Sequence, residues 1–191
     1  MTSVEPIAAA DLPARVDELA AVYAEAFSHP PYSKDRLASA IQIRETLGQQ
    51  RERPGFRLRA AVDGGRIVGL AYGYSSVPGQ WWHDLVAGGL GHEETRRWLS
   101  DCFELVELAV LPSFQGRRLG SRLHDSLLAG VSHRTAALST RQEETRARRL
   151  YRRRGWVDLL RDFNFQAQSP PYVIMGLDLK RFTVSTGLPP G

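Results

Sequence analysis

The sequence holds a single cysteine, Cys102, among 191 residues, so no internal disulfide can form and a reducing, cytoplasmic setting is the default expectation. Its five histidines, at 29, 83, 92, 124 and 133, show no His-Glu-x-x-His spacing, since His92-Glu93-Glu94 runs on into Thr95-Arg96. A four-ligand zinc site at finger spacing is excluded as well, and no metal is expected. Lysine is nearly missing: of 25 cationic residues only Lys34 and Lys180 are lysine. Neither lies in a Gly-Lys-Ser/Thr loop, and no Gly-x-Gly-x-x-Gly run occurs, which excludes two common nucleotide-phosphate loops. No stretch approaches the ~18 apolar residues of a membrane span. The N-terminus lacks the basic start and apolar run of a secretory leader, so no membrane partner is expected.

What is present is an ordinary globular composition, 42% hydrophobic and 24% charged, at a length that suits one domain. Residues 1–180 are expected to form it, with 181–191 as a C-terminal tail ending Leu188-Pro189-Pro190-Gly191. The net charge of +4 is uneven, because residues 141–161 hold eight arginines against Glu143, Glu144 and Asp158. A basic cluster of that extent suits a small anionic ligand better than a long polyanion. Its interleaved Ala147, Leu150 and Tyr151 read as packing positions, which argues against nucleic acid.

Apolar spacing predicts a helix from an Asp11 cap to about Phe27 and a second opened by Ser33, carrying Leu37, Ile41 and Leu47. Phe56–Val62 and Ile67–Tyr74 read as strands joined by the hairpin signal Asp63-Gly64-Gly65-Arg66. Residues 75–102 are the least legible, with a short helix around His92–Leu99. Beyond them come a strand Phe103–Leu111, a helix 119–131, a strand Ala136–Thr140, and a helix Glu144–Arg153 ended by Gly155. Strands Trp156–Leu160 and Tyr172–Leu179 close the chain. That alternation predicts an α/β architecture with a mixed sheet.

The chemistry points to Phe103–Trp156. A buried strand runs through Leu108 and Val110 to Pro112, and Gln115-Gly116-Arg117-Arg118-Leu119-Gly120 then opens a helix. A glycine-bearing turn at a helix start presents free backbone N–H groups and the positive end of the helix dipole, an arrangement that binds phosphate; Arg117 and Arg118 add charge. An ordinary strand–turn–helix link fits the hexapeptide equally well.

The combination resembles a known family. Glu107-Leu108-Ala109-Val110-Leu111-Pro112 followed by Gln115–Gly120 is similar to the acetyl-CoA signature of the GNAT N-acetyltransferases, Gln/Arg-x-x-Gly-x-Gly/Ala after a strand ending in Val-x-Pro. Ala147, Leu150, Tyr151, Gly155 and Trp156 match the family's Asn-x-x-Ala-x-x-Leu-Tyr-x-x-x-Gly-Phe pattern, and Tyr172–Leu179 resembles its last strand. Two positions depart: Arg118 replaces the middle glycine, and Glu144 stands where asparagine is common.

The resemblance implies a mostly antiparallel mixed sheet flanked by helices and parting between its fourth and fifth strands, here Phe103–Leu111 and Ala136–Thr140. Acetyl-CoA would serve as co-substrate and an amine as acceptor. Pantetheine would lie along Leu108 and Val110 like an added strand, with a backbone N–H near Val110 facing the thioester carbonyl. The phosphates would lie over Gln115, Gly116, Arg117, Arg118, Leu119 and Gly120. Tyr151 is the implied proton donor to the leaving thiolate; helical packing is its alternative role. Glu104 and Glu107, carboxylates in an apolar strand, are candidates for the base, or for an ion pair with a neighbouring arginine. Alternation puts them on opposite faces unless a bulge intervenes. Tyr32, Tyr74, Trp81 and Trp82 fall in segments that border the acceptor site in relatives. A non-catalytic acyl-CoA sensor is the rival implication, and homodimers are common in the family.

Overall fold

A computed structural model describes residues 1–166 and 170–182, so the last nine residues of the expected tail lie outside the described part. Seven strands form one sheet: β1 (Ser3–Ile7), β2 (Arg57–Asp63), β3 (Arg66–Ser76), β4 (Cys102–Val110), β5 (Thr135–Arg141), β6 (Val157–Phe163) and β7 (Tyr172–Asp178), in the order β1-β2-β3-β4-β5-β7-β6. Among the described residues six α-helices accompany them, α1 (Leu12–Phe27), α2 (Arg36–Gln50), α3 (Trp81–Leu90), α4 (His92–Trp98), α5 (Leu119–Leu128) and α6 (Arg146–Arg153), with a 3-10 turn at Pro112–Phe114. Every strand pairing is antiparallel except β4 with β5.

The expected helix starts need two corrections. Asp11 precedes α1, but its side chain makes no cap; Pro13 in the first turn presets the backbone there instead. The second helix opens at Asp35 rather than Ser33, because the Asp35 carboxylate accepts the Ala38 N–H at 2.7 Å. β1 has no counterpart among the expected strands. It contains Pro6, which a strand tolerates only at a sheet edge, and that is where β1 lies.

The sheet is covered on both faces. α1 and α2 bury Leu19, Tyr23, Ile43 and Leu47 against Leu58, Leu70 and Tyr72 on one face. On the other, α5 and α6 bury Leu123, Leu127 and Leu150 against Phe103 and Leu138. Each fully buried leucine contributes about 2 kcal/mol. The Leu119, Leu123 and Leu127 stripe therefore outweighs the roughly 1–2 kcal/mol cost of Arg118, which caps α5 in the left-handed region at φ 60°.

One break in the sheet positions everything that follows. β4 and β5 pair only at Cys102↔Thr135, Phe103↔Ala136 and Glu104↔Ala137. Beyond those residues β4 stays with β3 as far as Val110, and β5 stays with β7 as far as Arg141. The two strands diverge and open a gap in the sheet.

Candidate active site

The register of β4 on β3 decides where its two glutamates point. Tyr74 pairs with Glu104 and Tyr72 with Glu107, while Gly73 pairs with Leu105, which leaves Val106 as an extra residue. Paired residues share a face, and Tyr72 and Tyr74 both lie on the α1/α2 face. The bulge thus cancels the odd spacing and brings Glu104 and Glu107 to the same side. Gly73 permits it: a Cβ there would fall onto the Glu104 carbonyl oxygen and lie 2.6 Å from Phe103 Cε1.

Both carboxylates line a cleft of about 530 Å³ at the mouth of the gap. Glu104 is buried, and its Oε2 has no hydrogen-bond partner. Burial pushes its carboxyl up to about 8, against the pull of nearby Arg53 and with a further push from Glu107. Glu107 is partly open to the cleft, and desolvation raises it to about 7, opposed by Lys34 and by a hydrogen bond from Tyr23. The Tyr23 hydroxyl donates to Glu107 Oε1 at 3.4 Å and accepts from Lys34 Nζ at 3.0 Å. Neither glutamate forms an ion pair among the described residues; the arginine of that neighbourhood, Arg53, stacks 4.5 Å over the Tyr74 ring instead.

Tyr151 enters the same cleft from α6, on the opposite face of the sheet. Desolvation pushes its phenol well above the ordinary value of 10, so it stays protonated. Its ring is held 5.7 Å from Trp156 and 6.2 Å from His124. Trp156 Nε1 donates to His124 Nε2 at 2.9 Å, and His124 Nδ1 lies 2.8 Å from Asp125, which Arg154 grips at 2.8 Å. Burial pushes His124 down, which keeps the imidazole neutral and able to accept the indole N–H.

The turn after β4 forms a cradle. Gly116 at φ 79° and Arg118 at φ 60° are both left-handed. The N–H groups of residues 116–120 find no acceptor among the described residues. Such consecutive free N–H groups at a helix N-terminus suit an anion. Leu111 N–H donates to Val68 on β3, so alternation turns the N–H groups of Val110 and Leu108 toward the gap.

The profile of the Acetyltransferase (GNAT) family matches residues 16–156 of this chain. The chain belongs to that family. It is 39% identical over 128 residues to a GCN5-like protein acetyltransferase of Mycobacterium tuberculosis, a match that spans 63% of this chain and 62% of the relative. Two solved structures share the fold at low identity. The Escherichia coli ribosomal-protein alanine N-acetyltransferase has a TM-score of 0.61 at 17% identity, over 98% of this chain and 99% of that one. An aminoglycoside 6′-acetyltransferase has 0.63 at 18%, over 93% and 97%. GNAT proteins use acetyl-CoA as co-substrate.

The cradle and the gap edge fit that co-substrate: five free N–H groups stand beside Arg117 and Arg118, neither of which has a carboxylate partner among the described residues. Arg117 stacks 5.0 Å from Phe114. The Gln115 side chain is occupied otherwise, donating to Val110 O at 3.0 Å and accepting from Arg146 at 2.9 Å, which ties β4 to α6. At Gly120 the open side faces inward, where a Cβ would meet Leu108 Cδ2 at 3.7 Å and Leu150 Cδ1 at 3.8 Å. Glu144 pairs with Arg152 at 2.7 Å, and the α6 cap is Thr145, whose hydroxyl accepts the Arg148 N–H at 3.1 Å. Much of the arginine cluster is engaged within the protein: Arg148 and Arg161 hold Asp158, and Arg154 holds Asp125. Tyr32, Tyr74, Trp81 and Trp82 all line the cleft.

Nothing in the sequence places Lys34 and Arg53 in the cleft, or Tyr23 beside Glu107 behind it. The available signal is the scarcity of lysine, which makes any lysine here a choice of a titratable cation over arginine.

Proposed function

We propose that the chain is an N-acetyltransferase that moves the acetyl group of acetyl-CoA to a primary amine by direct attack. The observation that carries this reading is the bulge in β4, which gathers two carboxylates of raised pKa into the cleft that Tyr151 enters from the other face. Acetyl-CoA supplies the acetyl group on a thiol leaving group. Residues 116–120, with Arg117 and Arg118, hold its phosphates, and the Leu108 and Val110 N–H groups hold the pantetheine arm. The Val110 N–H faces the thioester carbonyl, where negative charge develops.

Glu107 is the better placed base. It is open to the cleft, and a carboxyl near 7 accepts a proton from an ammonium ion more effectively than one at its ordinary value. Glu104 lies deeper, and with its carboxyl raised to about 8 it stays largely protonated near neutral pH and leaves the proton transfer to Glu107. Tyr151, neutral and buried, donates its proton to the departing thiolate. Relatives of this fold are named for acceptors as different as an aminoglycoside and a ribosomal protein. The M. tuberculosis relative is named a protein acetyltransferase, which favours a lysine side chain or peptide amine as acceptor here. Thiol release from acetyl-CoA with a panel containing a lysine peptide, a polyamine and an aminoglycoside tests the proposal. We expect turnover with at least one amine; binding of acetyl-CoA without turnover across the panel would favour the sensor reading.

A further inference from the structure

We infer that Lys34 is itself an acceptor: the enzyme acetylates its own Lys34 Nζ. The inference rests on the proposed acetyl transfer and goes beyond it, because it names a modified residue of this chain.

Lys34 is partly buried and lines the cleft with Glu104, Glu107 and Tyr151. Its ammonium lies 5.0 Å from the centre of the Phe27 ring and 5.4 Å from that of Tyr23, which holds the side chain against an aromatic wall. Its Nζ donates to Tyr23 Oη at 3.0 Å, and Tyr23 Oη donates to Glu107 Oε1 at 3.4 Å. Those two hydrogen bonds connect the amine to the base. No carboxylate pairs directly with Lys34 among the described residues, so no ion pair must break before it loses a proton. An arginine here could not be an acceptor, because its guanidinium does not deprotonate in proteins. Lys34 is one of only two lysines in a chain that otherwise uses arginine for its cations.

The step balances. The Lys34 ammonium passes a proton to Tyr23 Oη as the Tyr23 proton passes to Glu107. The neutral nitrogen forms a C–N bond to the acetyl carbon while the C–S bond breaks; the thiolate takes the Tyr151 proton, and the second proton that the nitrogen must lose returns to the Tyr151 phenolate and restores the phenol. The product amide carries no charge, so modification removes the cation beside Glu107 and places an acetyl group in the acceptor's path. Self-acetylation would slow transfer to other amines.

The chain contains its own control, since Lys180 is exposed just beyond β7, away from the cleft. The full-length protein is incubated with acetyl-CoA alone, digested, and the peptides carrying Lys34 and Lys180 are compared by mass spectrometry. We expect an acetyl group on Lys34 at roughly tenfold or more the level on Lys180, as an intramolecular reaction gives. Glu107→Gln, which keeps the shape of the side chain, should slow the labelling of Lys34. An unlabelled Lys34, or equal labelling of both lysines, overturns the inference; so does full-rate labelling of Lys34 in Glu107→Gln. Thiol release with an added amine, run in parallel, separates the two failures. Turnover with Lys34 unlabelled overturns self-acetylation alone, whereas absence of both overturns the proposed function too.

Discussion

Glu107→Gln isolates one half-buried charge while keeping an acceptor oxygen for the Tyr23 hydroxyl. In the folded protein the Glu107 carboxyl is raised from 4.5 to about 7, mainly by desolvation. The folded state therefore retains a proton that the unfolded chain gives up. The stabilisation linked to that proton is fully present below pH ~4.5 and is lost as pH rises through 7. A shift of this size corresponds to about 3 kcal/mol, an upper bound because water in the cleft screens a partly open carboxylate. Glutamine cannot ionise. The variant should match the parent near pH 4.5 and gain stability over it as pH rises, levelling off at up to ~3 kcal/mol above pH 8. Glu104 reinforces the trend, because it loses the neighbouring charge that helps raise it. Urea unfolding followed by tryptophan fluorescence at several pH values measures the difference. The same substitution should lower acetyl transfer on the order of 10²-fold. In the parent, kcat/KM should climb with pH through about 7 as Glu107 ionises. A stability difference that stays constant from pH 4.5 to 8.5 would refute the assignment of a half-buried carboxyl with a raised pKa.

Three further outcomes follow from the same geometry. Tyr151→Phe should lower kcat on the order of 10²-fold with little change in KM for acetyl-CoA, measured by thiol release; an unchanged kcat would leave Tyr151 as a packing residue only. Gly73→Ala should destabilise by ~3 kcal/mol or more and reduce activity, since its Cβ collides with the Glu104 carbonyl at the bulge; an unchanged urea midpoint would show that the bulge tolerates a side chain. Arg118→Gly should raise stability by about 1 kcal/mol, because glycine adopts φ 60° without strain, and should weaken acetyl-CoA binding; a lower melting temperature would mean that the arginine side chain holds the loop.

Legibility in the sequence followed the strength of local signals. β4 and the turn after it were readable because a long apolar strand, a proline and a glycine-bearing helix start come in immediate succession. The hairpin was readable for a similar reason, and Asp63 does pair with Arg66 across Gly64-Gly65. α3 was hidden because Gly88 and Gly89 weaken any helical reading. The fold tolerates them: at Gly89 a Cβ would lie 2.7 Å from Leu160, so the glycine lets α3 pack directly on β6. β1 is short, half exposed and contains proline, so only its pairing with β2 reveals it. In the site, Glu104 and Glu107 could be named as candidates, yet their shared orientation depends on Val106 bulging, a property of two paired strands rather than of one. Tyr23 and Lys34 could not be placed beside Glu107 because 84 residues separate the tyrosine from the glutamate, and only the packing of α1 on the sheet closes that distance.

The chemistry sits where the sheet is least continuous, and a physical reason connects the two. The carboxylates lie on the α1/α2 face and Tyr151 belongs to the α5/α6 face, so an unbroken sheet would separate base from acid by its full thickness. Parting of β4 from β5 after three paired residues removes that barrier, and it frees the Leu108 and Val110 N–H groups to hold a ligand between the strands. In the proposed mechanism an extended ligand arm would replace the missing strand contacts, restoring hydrogen bonds that the gap gives up. The bulge at Val106 falls within the same stretch and turns Glu107 into the cleft. Closing the gap by extending the β4–β5 pairing would therefore remove the binding edge and the route between acid and base together, even though it would add backbone hydrogen bonds to the sheet.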